Sequence, residues 1–473
     1  MMVPILALAA AAAAGPNCAE GLCNIRGLEP FFDKLERQPR NQAGKRPVHI
    51  LQIGDSHTAG DTITGAWREV LQARYGGGGR GVLAAGRPYQ GYLTQGITAQ
   101  MSSGWRISST FGSASAPPRP LMGVSGFSLT SQQPGAEMSL TADAGQMFDR
   151  FVLCAVAAPG AGALTIRIGA RTERMQLASA TERAECRMVS VDQPSFTVTV
   201  TAEDRPVTIT SWATFRDNGG IALSNVGVVG SQLQHFARTD DAVVAEELRA
   251  YRPDLIVIEF GTNEGFSPVF RPNEYEITLR SQIGRMRRLA PGVPILLIGA
   301  PDASSRRPEM LINAPGPAPR PCAEPSGPIN ASIPPGQTRI GTGRLDNLLA
   351  DISAGDSADA GQDGADPVAA PPAPPPPAPA QISWSVRANP LFPPAGLRAV
   401  RDVQRRVAGQ LGIAFWDWEA RMGGACSAVK WVKGDPPRMR GDYVHFNSAG
   451  GRDIAQRLNA DLEQARTLLS ASR

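Results

Sequence analysis

The chain has 473 residues, 42% of them apolar, which at ~150 residues per domain is enough for more than one sizeable core. No internal apolar run reaches the ~20 residues that span a bilayer, which excludes a multi-pass membrane protein. The formal charge of +4 is too small, for this length, to point to nucleic acid, and four histidines leave little room for a His-rich metal site.

The N-terminus, MMVPILALAAAAAAGPNCAEG, is an apolar run of small residues followed by Gly15-Pro16, like the core and cleavage region of a secretory signal; a signal peptide is expected over residues 1–20. Cys18 follows no lipoprotein-type motif, so no lipid anchor is expected. Six cysteines suit an oxidising compartment. Of fifteen possible connectivities, pairing in chain order is the simplest: Cys18/Cys23, Cys154/Cys186 and Cys322/Cys426, with buried free thiols as the alternative. No C-x-x-C occurs, which argues against a zinc ribbon or thioredoxin-like site.

Pro47–Gly54 (PVHILQIG) reads as a buried parallel strand, followed by a helix over Asp61–Tyr75 with Ile63, Trp67, Val70 and Leu71 at helical spacing. From about 100 to 222 the chain turns rich in Ser, Thr, Gly and Val, with alternating runs such as LTIRI (164–168) and FTVTVT (196–201); this predicts an inserted β-sandwich. Strands follow over Asp254–Gly261 and Val293–Gly299, with a helix over Asn273–Leu289 between them. Residues 313–386 break the pattern. Eight of the sixteen residues in 366–381 are proline, and Leu345–Val386 holds six Asp with no Lys, Arg or Glu, so this insert is expected to be disordered. Without the acidic stretch the formal charge rises to +10. A helix near Gly396–Leu411, a strand at Ile413–Trp416 and a closing helix from Ser448 to about Leu469 complete the chain. The β-α alternation predicts a parallel sheet covered on both faces.

Four short blocks carry chemistry. The first strand runs into Gly54-Asp55-Ser56-His57, which puts a serine hydroxyl where open α/β sheets place their sites, near the start of the next helix. Asn225–Gln232 (NVGVVGSQ) ends a strand in a Gly-rich turn. Gly261-Thr262-Asn263-Glu264 ends another, and Asp442-Tyr443-Val444-His445 precedes Phe446-Asn447-Ser448-Ala449-Gly450 and the last helix. A serine needs a base to become nucleophilic, and an imidazole can take and return the proton. Of the other histidines, His49 is expected to be a satisfied core residue, His57 to line the pocket, and His235 to be structural.

These blocks, in this order, resemble the SGNH/GDSL hydrolases. The resemblance implies a flavodoxin-like α/β fold, Ser56 as nucleophile, His445 as base and Asp442 as its orienting partner. It also implies an oxyanion hole from the backbone N–H groups of Ser56 and Gly230 and the side chain of Asn263. His57 stands where the family name has Leu, and Glu264 where many members have Asp. Phe415-Trp416-Asp417-Trp418, Met422-Gly423-Gly424, Cys426-Ser427 and Trp431 narrow the likeness to bacterial peptidoglycan O-acetylesterases, which carry a carbohydrate-binding-module-like β domain between the first two blocks. Ser56 and Gly230 lie 174 residues apart, room for such a domain.

The expected organisation is hydrolase segments at 45–99, 223–312 and 387–470, the β-rich insert at 100–222 and the Pro-rich insert at 313–386. The expected function is a periplasmic or secreted esterase that removes O-acetyl groups from peptidoglycan, at C6 of N-acetylmuramic acid, or from another acetylated glycan. No cofactor, no metal, no nucleic-acid partner and no integral membrane domain are expected. An O-acetyltransferase, a general short-chain carboxylesterase and a non-enzymatic glycan-binding scaffold are the alternatives.

Overall fold

The computed structural model describes residues 17–38, 42–92, 94–112, 120–306, 320–323 and 390–472. Residues 1–16 of the expected signal and the proline-rich core of the insert lie outside the described residues.

Five parallel strands, β1 (Val48–Gly54), β2 (Ile221–Gly227), β3 (Leu255–Glu259), β4 (Ile295–Ile298) and β5 (Ala414–Trp416), lie in the order β2-β1-β3-β4-β5. This is the flavodoxin-like order, in which the chain reverses direction across the sheet beside β1. Every residue of β1 is buried because both faces are covered. On one face Leu51, Ile53, Ile256, Ile258 and Leu297 join a cluster with the helices Asp241–Tyr251, Pro272–Leu289 and Ala395–Leu411. On the other, Val48, Ile50, Leu255, Val257 and Leu296 join one with Thr62–Tyr75 and Ser448–Ala471. The register sets Gly54 level with Gly227 on one side and Glu259 on the other. Three of the four sequence blocks therefore leave the sheet at one level.

The far edge departs from expectation. Leu22–Cys23 pairs antiparallel with β5, and Cys18–Ala19 pairs with it in turn, tied by the Cys18–Cys23 disulfide. A signal peptide over residues 1–20 would include the first of these edge strands, Cys18–Ala19. The helix Glu29–Glu36, unread in the sequence, buries Phe31, Phe32 and Leu35 against the same core.

Between β1 and β2 run two antiparallel sheets, one of five strands and one of six. Their facing residues, among them Leu140, Ile166 and Val200 from the first and Leu129, Leu153 and Trp212 from the second, form one apolar cluster. The sequence boundaries shift. Gly81–Leu83 pairs with Val207–Phe215 and so joins the six-stranded sheet, the five-stranded sheet already begins at Ile97, and Ile221–Gly227 belongs to the parallel sheet, so a boundary at 222 cuts a strand. Uninterrupted apolar runs look alike in both settings, so sequence pattern alone does not separate the two sheets.

The six-stranded sheet turns its other face to the hydrolase layer. Val82, Val124, Val152, Ala213 and Phe215 share the apolar cluster of helix Asp241–Tyr251. Within it the fully buried Glu247 accepts hydrogen bonds from the Val124 amide at 2.6 Å and the Thr210 hydroxyl at 2.7 Å, as well as from Ser211. Gly123 is obligatory there, because a Cβ would come within 2.0 Å of the Glu247 carboxylate.

Cys154–Cys186 crosses neighbouring strands, and Cys322–Cys426 secures the short segment 320–323, whose Cys322 amide donates to the Leu391 carbonyl at 2.7 Å. All three bridges follow chain order. Cys322 falls inside the stretch expected to be disordered, so the folded part reaches further into it than composition suggests.

Candidate active site

The Gly54–His57 block owes its shape to the end of β1. Gly54 has no room for a side chain, since a Cβ would lie 2.3 Å from Thr58 Oγ1 and 2.5 Å from the Glu259 carbonyl. Ser56 opens a four-residue helix, Ser56–Ala59, capped by Asp55, whose Oδ1 accepts the His57 amide at 2.9 Å. The sequence placed the first helix start near Asp61; this extra turn brings the N-terminal amides to the serine itself.

The Asp442–His445 block is held from several sides. Met439 bridges Phe446, and the Arg440 amide donates to the His445 carbonyl at 2.8 Å. Asn447 caps the last helix by accepting the Gly450 amide at 3.0 Å and donates to the Pro437 carbonyl at 2.7 Å. Ser56 and His445, 389 positions apart, come together with 3.0 Å between Ser56 Oγ and His445 Nε2. His445 Nδ1 lies 2.9 Å from Asp442 Oδ2, while Asp442 Oδ1 accepts the backbone amides of Val444 and His445, each at 2.9 Å. Burial works against the Asp442 charge, but the His445 ring and these amides hold its carboxyl down to about 2. The structure thus brings Ser56, His445 and Asp442 into one hydrogen-bonded series.

Asn263 packs against the turn after β2 that carries Gly230. Gly230 takes a left-handed conformation, φ 74°, in the turn after β2, and Asn263 sits on the turn after β3 behind Gly261 at φ 129°. Asn263 Nδ2 donates to the Ser231 carbonyl at 2.8 Å and makes a long 3.5 Å contact with Asp55 Oδ2. Gln232 donates to the Asn263 carbonyl at 3.2 Å, and the Leu233 amide to Glu264 Oε1 at 2.7 Å. Three bonds therefore lock the two turns together. Burial pushes Glu264 up to about 7.

The remaining histidines divide. His49 is fully buried between the Tyr251 carbonyl, 3.0 Å, and Ser224 Oγ, 2.7 Å, and burial pushes it down to about 4. His235 receives the Gln232 amide in a capping box. His57 does not line an open pocket; its side chain is 2% exposed, because the turn at Ser56 directs it under the base loop. Sequence reasoning also missed Asp61. This buried carboxylate pairs with Arg68 at 2.7 Å and Arg80 at 2.9 Å and accepts the Gln95 amide at 2.7 Å, which anchors the start of the antiparallel sheets beside the nucleophile helix.

A doubly wound parallel sheet with a serine, a histidine and a carboxylate hydrogen-bonded in series at its carboxyl edge is an arrangement suited to hydrolysis. Residues 195–452 match the model of the GDSL-like lipase/acylhydrolase family, and the chain belongs to that family of ester hydrolases. A solved peptidoglycan O-acetylesterase superposes with a TM-score of 0.64 at 22% identity, over 94% of this chain and 99% of that one, and the two share the SGNH hydrolase fold. The YXIM protein of Bacillus subtilis follows with a TM-score of 0.31 at 10% identity, over 81% of this chain and 98% of that one. Among proteins of curated function, none matches the sequence. No described helix is long and apolar enough to cross a membrane.

Proposed function

We propose that this chain is a periplasmic or secreted serine esterase that removes O-acetyl groups from peptidoglycan, at C6 of N-acetylmuramic acid. The observation that carries the reading is the series Ser56 Oγ–His445–Asp442 at 3.0 and 2.9 Å. Ser56 Oγ attacks the acetyl carbonyl as its proton passes to His445 Nε2, and Asp442 stabilises the imidazolium. The amides of Ser56 and Gly230 and the side chain of Asn263 receive the oxyanion. Collapse expels the sugar oxygen, which takes the proton from His445; water, deprotonated by His445, then cleaves the acetyl-serine to acetate. Three disulfides favour an oxidising compartment.

In this reading the two antiparallel sheets are an inserted β-sandwich that positions the glycan, and the likeness in fold to a peptidoglycan O-acetylesterase supports the substrate class. The test is acetate release from O-acetylated peptidoglycan by the wild type and by Ser56→Ala. Wild-type release with a loss of several orders of magnitude in kcat for the variant is the expected result. Hydrolysis of p-nitrophenyl acetate without release from peptidoglycan would overturn the substrate, and an active Ser56→Ala would overturn the mechanism.

A further inference from the structure

Beneath Ser56 lies a buried polar cluster that acyl transfer does not use. His57 Nδ1 is 3.2 Å from Asp55 Oδ1, an oxygen that already accepts the His57 amide. His57 Nε2 is 3.1 Å from the carbonyl oxygen of Val444. A carbonyl and a carboxylate can only accept, so both ring nitrogens face acceptor groups and a doubly protonated ring can donate to each. The ring stands edge-on to Trp418 and Phe446, at 5.3 and 5.8 Å between centroids, and lies 5.3 Å from the ring of His445.

The peptide group it reaches joins Val444 to His445. The N–H of that group is held by Asp442 Oδ1 and its C=O by His57 Nε2, so both ends of the unit from which the His445 side chain departs are fixed. We propose that His57 is a positioning residue for the base, tying the nucleophile helix to the Val444–His445 peptide through two donated hydrogen bonds. The proposal rests on the reading of His445 as base.

Burial alone would push His57 down, but the hydrogen bond and charge of Asp55, the charge of Glu259 and the Val444 carbonyl outweigh it and raise it to about 9. The titratable groups facing it are Asp55 on its own helix, Glu259 at the end of β3 and His445, backed by Asp442, on the loop. Glu259, whose Oε2 accepts from Thr58 at 2.8 Å, is itself held well above the usual carboxylate range by burial and by Asp55. Asp55, His57 and Glu259 also lie close enough together to share a metal ion, and the test below includes that outcome.

The test uses the full chain, wild type and His57→Gln, which can keep one donated bond but not both. With p-nitrophenyl acetate, kcat should fall about 10- to 100-fold with KM within about threefold. The acid limb of the pH profile should move up by roughly 0.5–1 unit, because a positive neighbour no longer opposes protonation of the base. With only four histidines in the chain, imidazole 15N NMR of the wild type can read His57 directly, and both ring nitrogens should be protonated at pH 7. A neutral His57 ring, an unchanged kcat with an unmoved limb, or stoichiometric metal that a chelator removes along with activity would each overturn the assignment. Should the variant fail to fold, the NMR measurement decides alone. Failure of the esterase reading is distinct: neither acetate ester hydrolysis nor labelling of Ser56 by a fluorophosphonate in the wild type.

Discussion

Asp442→Asn isolates what the carboxylate does for the base. Asp442 Oδ1 accepts two backbone amides, so the asparagine carbonyl would take that position and its NH2 would face His445 Nδ1. Nδ1 would then have to accept, the ring proton would move to Nε2, and Ser56 would lose the lone pair that takes its proton. The charge has its own share. Asp442 is held near 2 against an ordinary 3.8, which at ~1.36 kcal/mol per pH unit is roughly 2 kcal/mol. The side chain is 37% exposed, so solvent screening leaves about 1 kcal/mol, or roughly fivefold in rate. The wrong tautomer supplies the rest, for a total of about a thousand- to ten-thousand-fold in kcat. Stopped-flow hydrolysis of p-nitrophenyl acetate at pH 7 measures it, with the thermal midpoint as a folding control. A well-folded variant that keeps more than a tenth of wild-type kcat would refute the tautomer argument.

Asn263→Ala should lower kcat about 100- to 1000-fold with little change in KM, since the amide acts chiefly in the transition state; a rise in KM alone would assign Asn263 to ground-state binding. Asp61→Ala leaves Arg68 and Arg80 buried without their counter-charge and should cost about 3–5 kcal/mol in a urea titration. Because His57 is raised from 6.5 to about 9, its contribution to stability is complete below pH 6.5 and lost as pH rises toward 9, roughly 3 kcal/mol in all. Denaturant midpoints across that window should fall in the wild type and flatten in His57→Gln.

The parallel sheet was legible because each of its strands is a buried apolar run ending in a block with its own chemistry, and the register of β1 with β2 and β3 then gathers those blocks. The pairing of Ser56 with His445 was legible only through the resemblance, since nothing local relates positions 389 residues apart. The setting of His57 was not readable at all: its partners are a carboxylate two residues away and a carbonyl on the last loop, and a carbonyl oxygen leaves no trace in side-chain type. The edge strands Cys18–Ala19 and Leu22–Cys23 are too short to show a period. The helix Glu29–Glu36 did offer a signal in Pro30 at its first turn and the Phe31/Leu35 spacing, but over eight residues it is easily passed over.

The six-stranded sheet lends Val82, Val124, Val152 and Phe215 to the core of its host. At about 1.5–3 kcal/mol for each large side chain, that shared patch is comparable to the ~5–15 kcal/mol that keeps an ordinary domain folded. Such a region is not a cassette to be excised or grafted; a truncated hydrolase would open an apolar wound along helix Asp241–Tyr251. Its two sheets are thereby specialised in what they can evolve. The inner one is bound by its neighbour, whereas the outer one turns Arg167, Thr199 and Thr201 outward and can change residue by residue without disturbing the fold beneath.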